Sequence, residues 1–152
     1  MNEIEQQAFI FGNIFVLANR LQVLGDAFDK NITIKQWLFL ACVAQFKSAP
    51  TVSEVAEHIG YSRQNAKRMA DALEQREFVR IVKDNTDARA LRIHLTPKFN
   101  DYFESRRQKE VAFIQNLFHG FDLKLTSGLY QGLIQLTENM ITMEKENAEV
   151  KE

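Results

Sequence analysis

Between Thr51 and Leu95 the spacing of apolar residues changes once, from a helical repeat to strict alternation, and few folds accommodate that change over so short a span. The stretch opens on Thr51-Val52-Ser53-Glu54, a capping-box pattern. In it the threonine oxygen accepts from the Glu54 amide and the glutamate accepts from the Thr51 amide. A short helix follows, with Val55, Ala56 and Ile59 inward, and ends at Gly60. Ser62 caps a second helix, which carries Ala66, Met69, Ala70 and Leu73 at i, i+3, i+4 and i+7. Val79 and Ile81 then alternate with Arg80 and Val82, and Leu91, Ile93 and Leu95 alternate with Arg92 and His94. Asp84-Asn85-Thr86-Asp87-Ala88-Arg89 between them is polar and rich in turn formers, so the two runs read as a β-hairpin. Two short helices joined at Gly60-Tyr61-Ser62 and followed at once by a hairpin predict a helix-turn-helix with a wing.

The flanks are helical. Ile10, Ile14, Leu17, Leu21, Leu24 and Phe28 form one stripe of a long helix over about residues 3–27. Thr33 is the expected N-cap of a second helix with Trp37, Leu38, Cys42, Val43 and Phe46, which Pro50 stops from continuing. Thr96-Pro97 starts a fifth helix, threonine at the cap and proline at the first helical position. Its apolar positions are Phe99, Phe103, Val111, Ile114 and Phe118, and Gly120 ends it. Thr126 is the expected cap of a sixth, with Leu129, Leu133, Leu136, Met140 and Met143 in its stripe, and the acidic end from Glu144 to Glu152 is expected to fray. The predicted class is mainly α with a small β-hairpin wing. The expected division is an N-terminal dimerisation helix over residues 1–32, a winged helix-turn-helix core over 33–96, the type of unit that binds DNA, and C-terminal dimerisation helices over 97–152. Three long apolar stripes exceed what so small a core can cover, so a homodimer is expected.

Charge is distributed unevenly. The net charge is −1, yet residues 61–98 hold nine Lys/Arg against five Asp/Glu, while residues 1–60 and 99–152 are net acidic. A basic centre between acidic flanks points to a local polyanion-binding surface. No run of eighteen apolar residues is present and the start, MNEIEQQ, is polar and acidic, so neither a membrane span nor a secretory signal is expected. Cys42 is the only cysteine, which rules out an intrachain disulfide and suits a reducing cytoplasm. His58, His94 and His119 are scattered without Cys or close carboxylate partners, so no metal and no cofactor is expected.

Turning 100° per residue about the second short helix puts Gln64, Lys67 and Arg68 opposite the buried side, with Arg63 and Asn65 flanking them. Arginine pairs with guanine O6 and N7, glutamine and asparagine with adenine N6 and N7, and lysine with phosphate or guanine. Ser62, at the amide-rich helix start, suits a phosphate oxygen. At the hairpin tip Arg89 suits a narrow minor groove. Asp87 would repel phosphate, so it is expected to hold the Arg89 guanidinium and the loop by a charge-assisted hydrogen bond. The expected partner is double-stranded DNA.

The stretch TVSEVAEHIGYSRQNAKRMADALEQREFVRIVKDNTDARALRIHLTPKF, Thr51 to Phe99, resembles the winged-helix core of the MarR family of bacterial regulators. ITIKQWLFL, Ile32 to Leu40, resembles that family's second helix. The resemblance implies a triangular homodimer that binds a palindromic operator and is often released by a small-molecule effector. By position it supports Ser62, Arg63, Gln64 and Arg68 as groove contacts and Asp87 with Arg89 as the wing pair. Two residues depart from the pattern. Glu77 stands where the family usually has glycine after the recognition helix; a non-glycine residue costs roughly 1 kcal/mol there, which puts that helix ending in doubt. Ala88 stands where arginine is frequent, which removes one backbone contact.

Some relatives sense oxidants through cysteine near the N-terminal helix beside tyrosines. Cys42 lies mid-helix among Leu38, Phe39 and Phe46, and an inert buried thiol is expected. Trp37, Phe11 and Phe15 line a ligand pocket or belong to the core, and core is the favoured reading. No Gly-rich phosphate loop follows a strand, so an enzyme is not expected.

Overall fold

The structure, a computed structural model, describes residues 1–150. Among these lie six helices and one two-stranded sheet: α1 (Glu3–Phe28), α2 (Ile34–Gln45), α3 (Val52–Ile59), α4 (Arg63–Gln75), β1 (Val79–Lys83), β2 (Leu91–Leu95), α5 (Pro97–Leu117) and α6 (Leu123–Glu149). Two compact units divide within α5, the first ending at Ser105 and the second starting at Arg106.

The first unit holds the core, where Phe39, Leu40, Val55, Leu73 and Ile93 are fully enclosed. In α2 the buried face is Phe39, Leu40, Cys42 and Val43. Leu38, one of the apolar residues expected in this helix, is 43% exposed. The run WLFL is apolar all round the helix, so its period could not tell the faces apart. Trp37 packs against the core from its edge. Phe11 and Phe15 do not: they are 66% and 59% exposed and meet only edge-on, 5.3 Å apart.

Local chemistry sets the helix starts. Thr33 and Thr51 each form a full capping box, with Gln36 and Glu54. Ser62 accepts from the Asn65 amide at 3.1 Å, and Thr96 from the Phe99 amide at 3.3 Å. The cap of α6 is Asp122, which accepts from Leu125 at 2.7 Å. Thr126, the residue expected there, lies inside the helix and donates to the Asp122 carbonyl at 2.8 Å. Aspartate is a stronger cap than threonine, and three residues of helix precede Thr126 as a result. Of the acidic end expected to fray, Glu144 to Glu149 is helical, and Lys151 and Glu152 lie outside the described residues.

Helices α3 and α4 stop in the same way with different residues. After α3, Gly60 takes φ 71°, and Tyr61 donates to the Ala56 carbonyl at 2.8 Å. After α4, Glu77 takes φ 63°, Phe78 donates to the Leu73 carbonyl at 3.0 Å and Glu77 to the Glu74 carbonyl at 2.8 Å. These are the two bonds of a Schellman ending. The ending doubted from the sequence is therefore present, with glutamate bearing the left-handed strain. Its surroundings hold it: the Thr96 hydroxyl donates to the Glu77 carbonyl at 2.6 Å, and the Lys98 ammonium to the Arg76 carbonyl at 2.8 Å.

Strands β1 and β2 pair antiparallel from Val79 opposite Leu95 to Lys83 opposite Leu91. A third strip of backbone joins them. Ile93 donates to the Pro50 carbonyl at 2.8 Å, and Thr51 bridges to Arg92.

Helix α1 buries only Gly25, where a Cβ would come within 2.6 Å of Ile34. One eighteen-residue stretch of α1 has a mean hydropathy of 1.4, so by length and composition this helix is able to cross a membrane. Scanning for an unbroken apolar run overlooks it, because isolated residues such as Asn13 and Arg20 interrupt the stretch without lowering its mean far. In the second unit α6 buries nothing, and Leu129, Leu133, Leu136, Met140 and Met143 are all exposed.

Candidate nucleic-acid interface

Two devices present the basic centre of the chain. The first is α4, whose Ala66, Ala70 and Leu73 are buried and whose first two turns therefore face outward on the other side. Ser62, Arg63, Gln64, Asn65 and Arg68 are exposed, and Lys67 is half-buried. The Arg68 guanidinium donates to Asn65 Oδ1 at 3.2 Å, which ties two outward side chains together and leaves the Asn65 amide protons outward. Lys67 instead reaches along the helix to the carboxylate of Asp71, so its charge is partly compensated within α4. The Gln64 side chain has no hydrogen bond to any described residue, and both ends of its amide are available. The Ser62 oxygen caps the helix, and its proton remains to be donated to an anion.

The second device is the hairpin tip. Asp87 accepts from the Arg89 backbone amide at 2.9 Å, and its carbonyl accepts from Ala90 at 2.9 Å. It thus shapes the loop through the main chain, not through the Arg89 guanidinium as the sequence suggested. An Asx turn is the local bond most readily formed by an aspartate two residues before an amide, and it leaves the Arg89 side chain outward. Arg63 also does something unforeseen: its guanidinium donates to the Arg89 carbonyl at 3.4 Å, joining the start of α4 to the tip.

Between α3, α4 and the hairpin lies an open groove of about 670 Å³ lined by Ser53, Arg63, Lys67, Arg89, Asp84 and Asp87. A second hollow, about 460 Å³, lies among the last turns of α1, the start of α2 and α4, where Asp26, Lys35, Tyr61, Arg68 and Met69 line it.

Sequence reasoning missed the pair at the foot of the hairpin. Arg92 donates to Asp84 Oδ2 at 3.2 Å and to the Ala49 carbonyl at 2.7 Å. Hydrogen bonding from Arg92 holds the Asp84 carboxyl below its ordinary range. The Thr51 amide and hydroxyl do the same for Glu54. The only available signal was a basic residue in a strand eight positions after an acidic one. Burial pushes the Cys42 thiol upward, as expected of an enclosed cysteine. Among the described residues no cluster of three or more His, Cys, Asp or Glu side chains is arranged to hold a metal ion.

Compared with known proteins, residues 32–91 match the model of the MarR family. None of the curated proteins matches the chain. Similar solved structures include a MarR/EmrR family transcriptional regulator from Acinetobacter sp. ADP1, with TM-score 0.78 at 19% identity over 93% of this chain and 99% of that one. A MarR transcriptional regulator from Methanosarcina mazei Go1 gives TM-score 0.79 at 19% identity, over 90% of this chain and 99% of that one. An organohalide-sensing transcriptional regulator with 2,4-dichlorophenol bound gives 0.74 at 15%, over 91% and 85%. At such identities the likeness is one of fold, and the fold is the winged helix.

Proposed function

We propose, from the match of residues 32–91 to the model of the MarR family, that this chain is a member of that family and a sequence-specific DNA-binding transcriptional regulator. In this reading it is a repressor that binds a pseudo-palindromic operator as a homodimer and leaves it when a small-molecule effector binds. One observation carries the proposal: the first turns of α4 expose Arg63, Gln64, Asn65 and Arg68 beside a hairpin that ends in Arg89. The N-terminal half of a recognition helix is the part that enters the major groove. Gln64 and Asn65 suit adenine, Arg68 suits guanine, Lys67 and Ser62 suit phosphate, and Arg89 suits the minor groove. Asp87 orders the loop that carries Arg89.

The reading assigns residues 33–96 to DNA and residues 1–32 and 97–152 to the dimer. The stripes on α1 and α6 support this, because each large side chain buried there is worth roughly 1.5–3 kcal/mol. A two-fold axis would set two α4 helices about 34–36 Å apart, one turn of DNA. The hollow beside α4 supports an effector role, since a ligand there would touch Arg68. The neighbour with dichlorophenol bound shows that one protein of this fold takes a small molecule. The proteins matched are transcriptional regulators, and no catalytic role is assigned to this one. Its enclosed Cys42 suits the cytoplasm.

Selection of bound fragments from sheared genomic DNA, followed by footprinting, tests the proposal. The expected result is a protected inverted repeat with half-sites one turn apart. Leu133→Asp with Leu136→Asp should separate the dimer and abolish that footprint although neither residue touches DNA. A monomeric parent with a full footprint would refute the dimer. A chain that sediments only with detergent or vesicles would assign α1 to a bilayer instead.

A further inference from the structure

Two antiparallel strands alone are marginally stable, so a wing needs ties to the body that carries it. Here the main-chain tie is a single bridge, Thr51 to Arg92, with the Ile93 amide on the Pro50 carbonyl. Three side chains add to it: Glu74 of α4 accepts the Ile81 amide at 2.7 Å, Arg63 donates to the Arg89 carbonyl at 3.4 Å, and Arg92 reaches from the hairpin to the link before α3. Arg92 leaves β2 and donates one terminal nitrogen to the Ala49 carbonyl, in the link before α3, and the other to Asp84 at the end of β1. It therefore spans three segments: the link, β2 itself and the point where the hairpin turns. Asp84 is only 13% exposed and also meets the Thr86 amide and hydroxyl, both at 3.4 Å. Its own amide donates to the Ala90 carbonyl at 2.9 Å, closing the neck of the loop. Both terminal nitrogens of Arg92 are thus directed to protein acceptors.

We propose that Arg92, through Asp84 and the Ala49 carbonyl, is a positioning residue that fixes the angle of the wing to the helix-turn-helix and so sets where Arg89 meets DNA. It rests on the DNA-binding reading for its consequence, but not for its geometry. A cation in a strand beside a DNA groove would ordinarily be assigned to phosphate. Arg92 differs because each of its terminal nitrogens already donates within the protein, one to a carbonyl and one to a carboxylate. Losing it should free the wing without removing a DNA contact.

Two measurements on the full chain separate the possibilities. In hydrogen exchange, Arg92→Met and Asp84→Asn should each speed exchange at the Asp84 and Ala90 amides, with α4 unchanged. Equal protection in the variants and the parent would overturn the proposal, whether or not an operator is ever found. In binding to the selected operator, Arg92→Met should weaken affinity about threefold to tenfold, the range for loss of a half-exposed charged hydrogen bond. The double variant with Arg89→Ala should then bind no worse than Arg89→Ala alone, because a displaced wing has nothing more to lose. Arg92→Lys, able to reach one acceptor at a time, should recover part of the loss. Additive losses, with the salt slope falling by about one counterion for Arg92→Met, would make Arg92 a phosphate contact and refute the positioning role.

Discussion

Replacing Glu77 by glycine should stabilise this protein, which is the reverse of what glycine usually does near a helix. Glu77 holds φ at 63° in the same two-bond ending that Gly60 makes for α3. A residue with a Cβ pays roughly 1–2 kcal/mol for the left-handed region. Glycine avoids that cost but gives up about 0.5–1 kcal/mol of backbone entropy on folding. The Glu77 side chain offers little to lose: its ion pair with Lys98 spans 3.7 Å and the side chain is 82% exposed. The bonds from Thr96 and Lys98 go to main-chain carbonyls and survive the change. The balance is a gain of about 0.5–1 kcal/mol, or a Tm rise of roughly 1–4 °C for a chain of this length. Thermal and urea unfolding at one fixed protein concentration measures it, since any dimer makes Tm concentration-dependent. Glu77→Ala is the control. It keeps the strain and removes the carboxylate, so its stability should stay within about 0.5 kcal/mol of the parent. If Glu77→Gly lowers Tm, or if Glu77→Ala raises it equally, the strain argument is wrong.

Arg68→Ala should weaken operator binding by roughly 1–3 kcal/mol with a normal melting curve, and unchanged affinity would remove Arg68 from the interface. Asp87→Ala should loosen the loop and lower affinity less than Arg89→Ala does; tighter binding would mean that its charge, not its turn, is what matters. Cys42→Ser should leave any peroxide response of DNA binding unaltered, because the thiol is buried and its pKa is raised. Acid should expose the Asp84–Arg92 pair. A depressed carboxyl contributes stability that is complete above its unfolded pKa, about 3.9, and is lost as pH falls through the lower folded value. Asp84→Asn should therefore lose stability less steeply than the parent below about pH 4, and parallel acid limbs would count against the pairing.

The parts of this fold legible from sequence are those that local chemistry decides. Thr33, Thr51, Ser62 and Thr96 cap the helices they were expected to cap, and the alternation after Phe78 is the hairpin. The failures share a cause: each turned on a competition that periodicity does not express. Asp122 outcompeted Thr126 for the same helix start, and WLFL offered no polar face to orient Trp37 and Leu38. Asp87 chose the near amide over the far guanidinium. Arg92 could not be found at all, because its partners, Asp84 and the Ala49 carbonyl, come together only when the link before α3 lies against β2.

The contact of Gly25 with Ile34 has a mechanical side. Helix α1 is about 39 Å long at 1.5 Å per residue, and the point where it is buried lies in its last turn. Asp26, one residue on, accepts the Ile34 amide at 2.8 Å, so this end is both packed and bonded to the start of α2. A rod clamped at one end is a lever. A swing of about 5° at the clamp moves the free end by roughly 3 Å, given that length. The reverse also holds: whatever grips the free length exerts torque on α2, and α2 packs against α3 and α4. With no Cβ at position 25 the Ile34 side chain lies directly on the α1 backbone, so there is little slack at the fulcrum to absorb the motion.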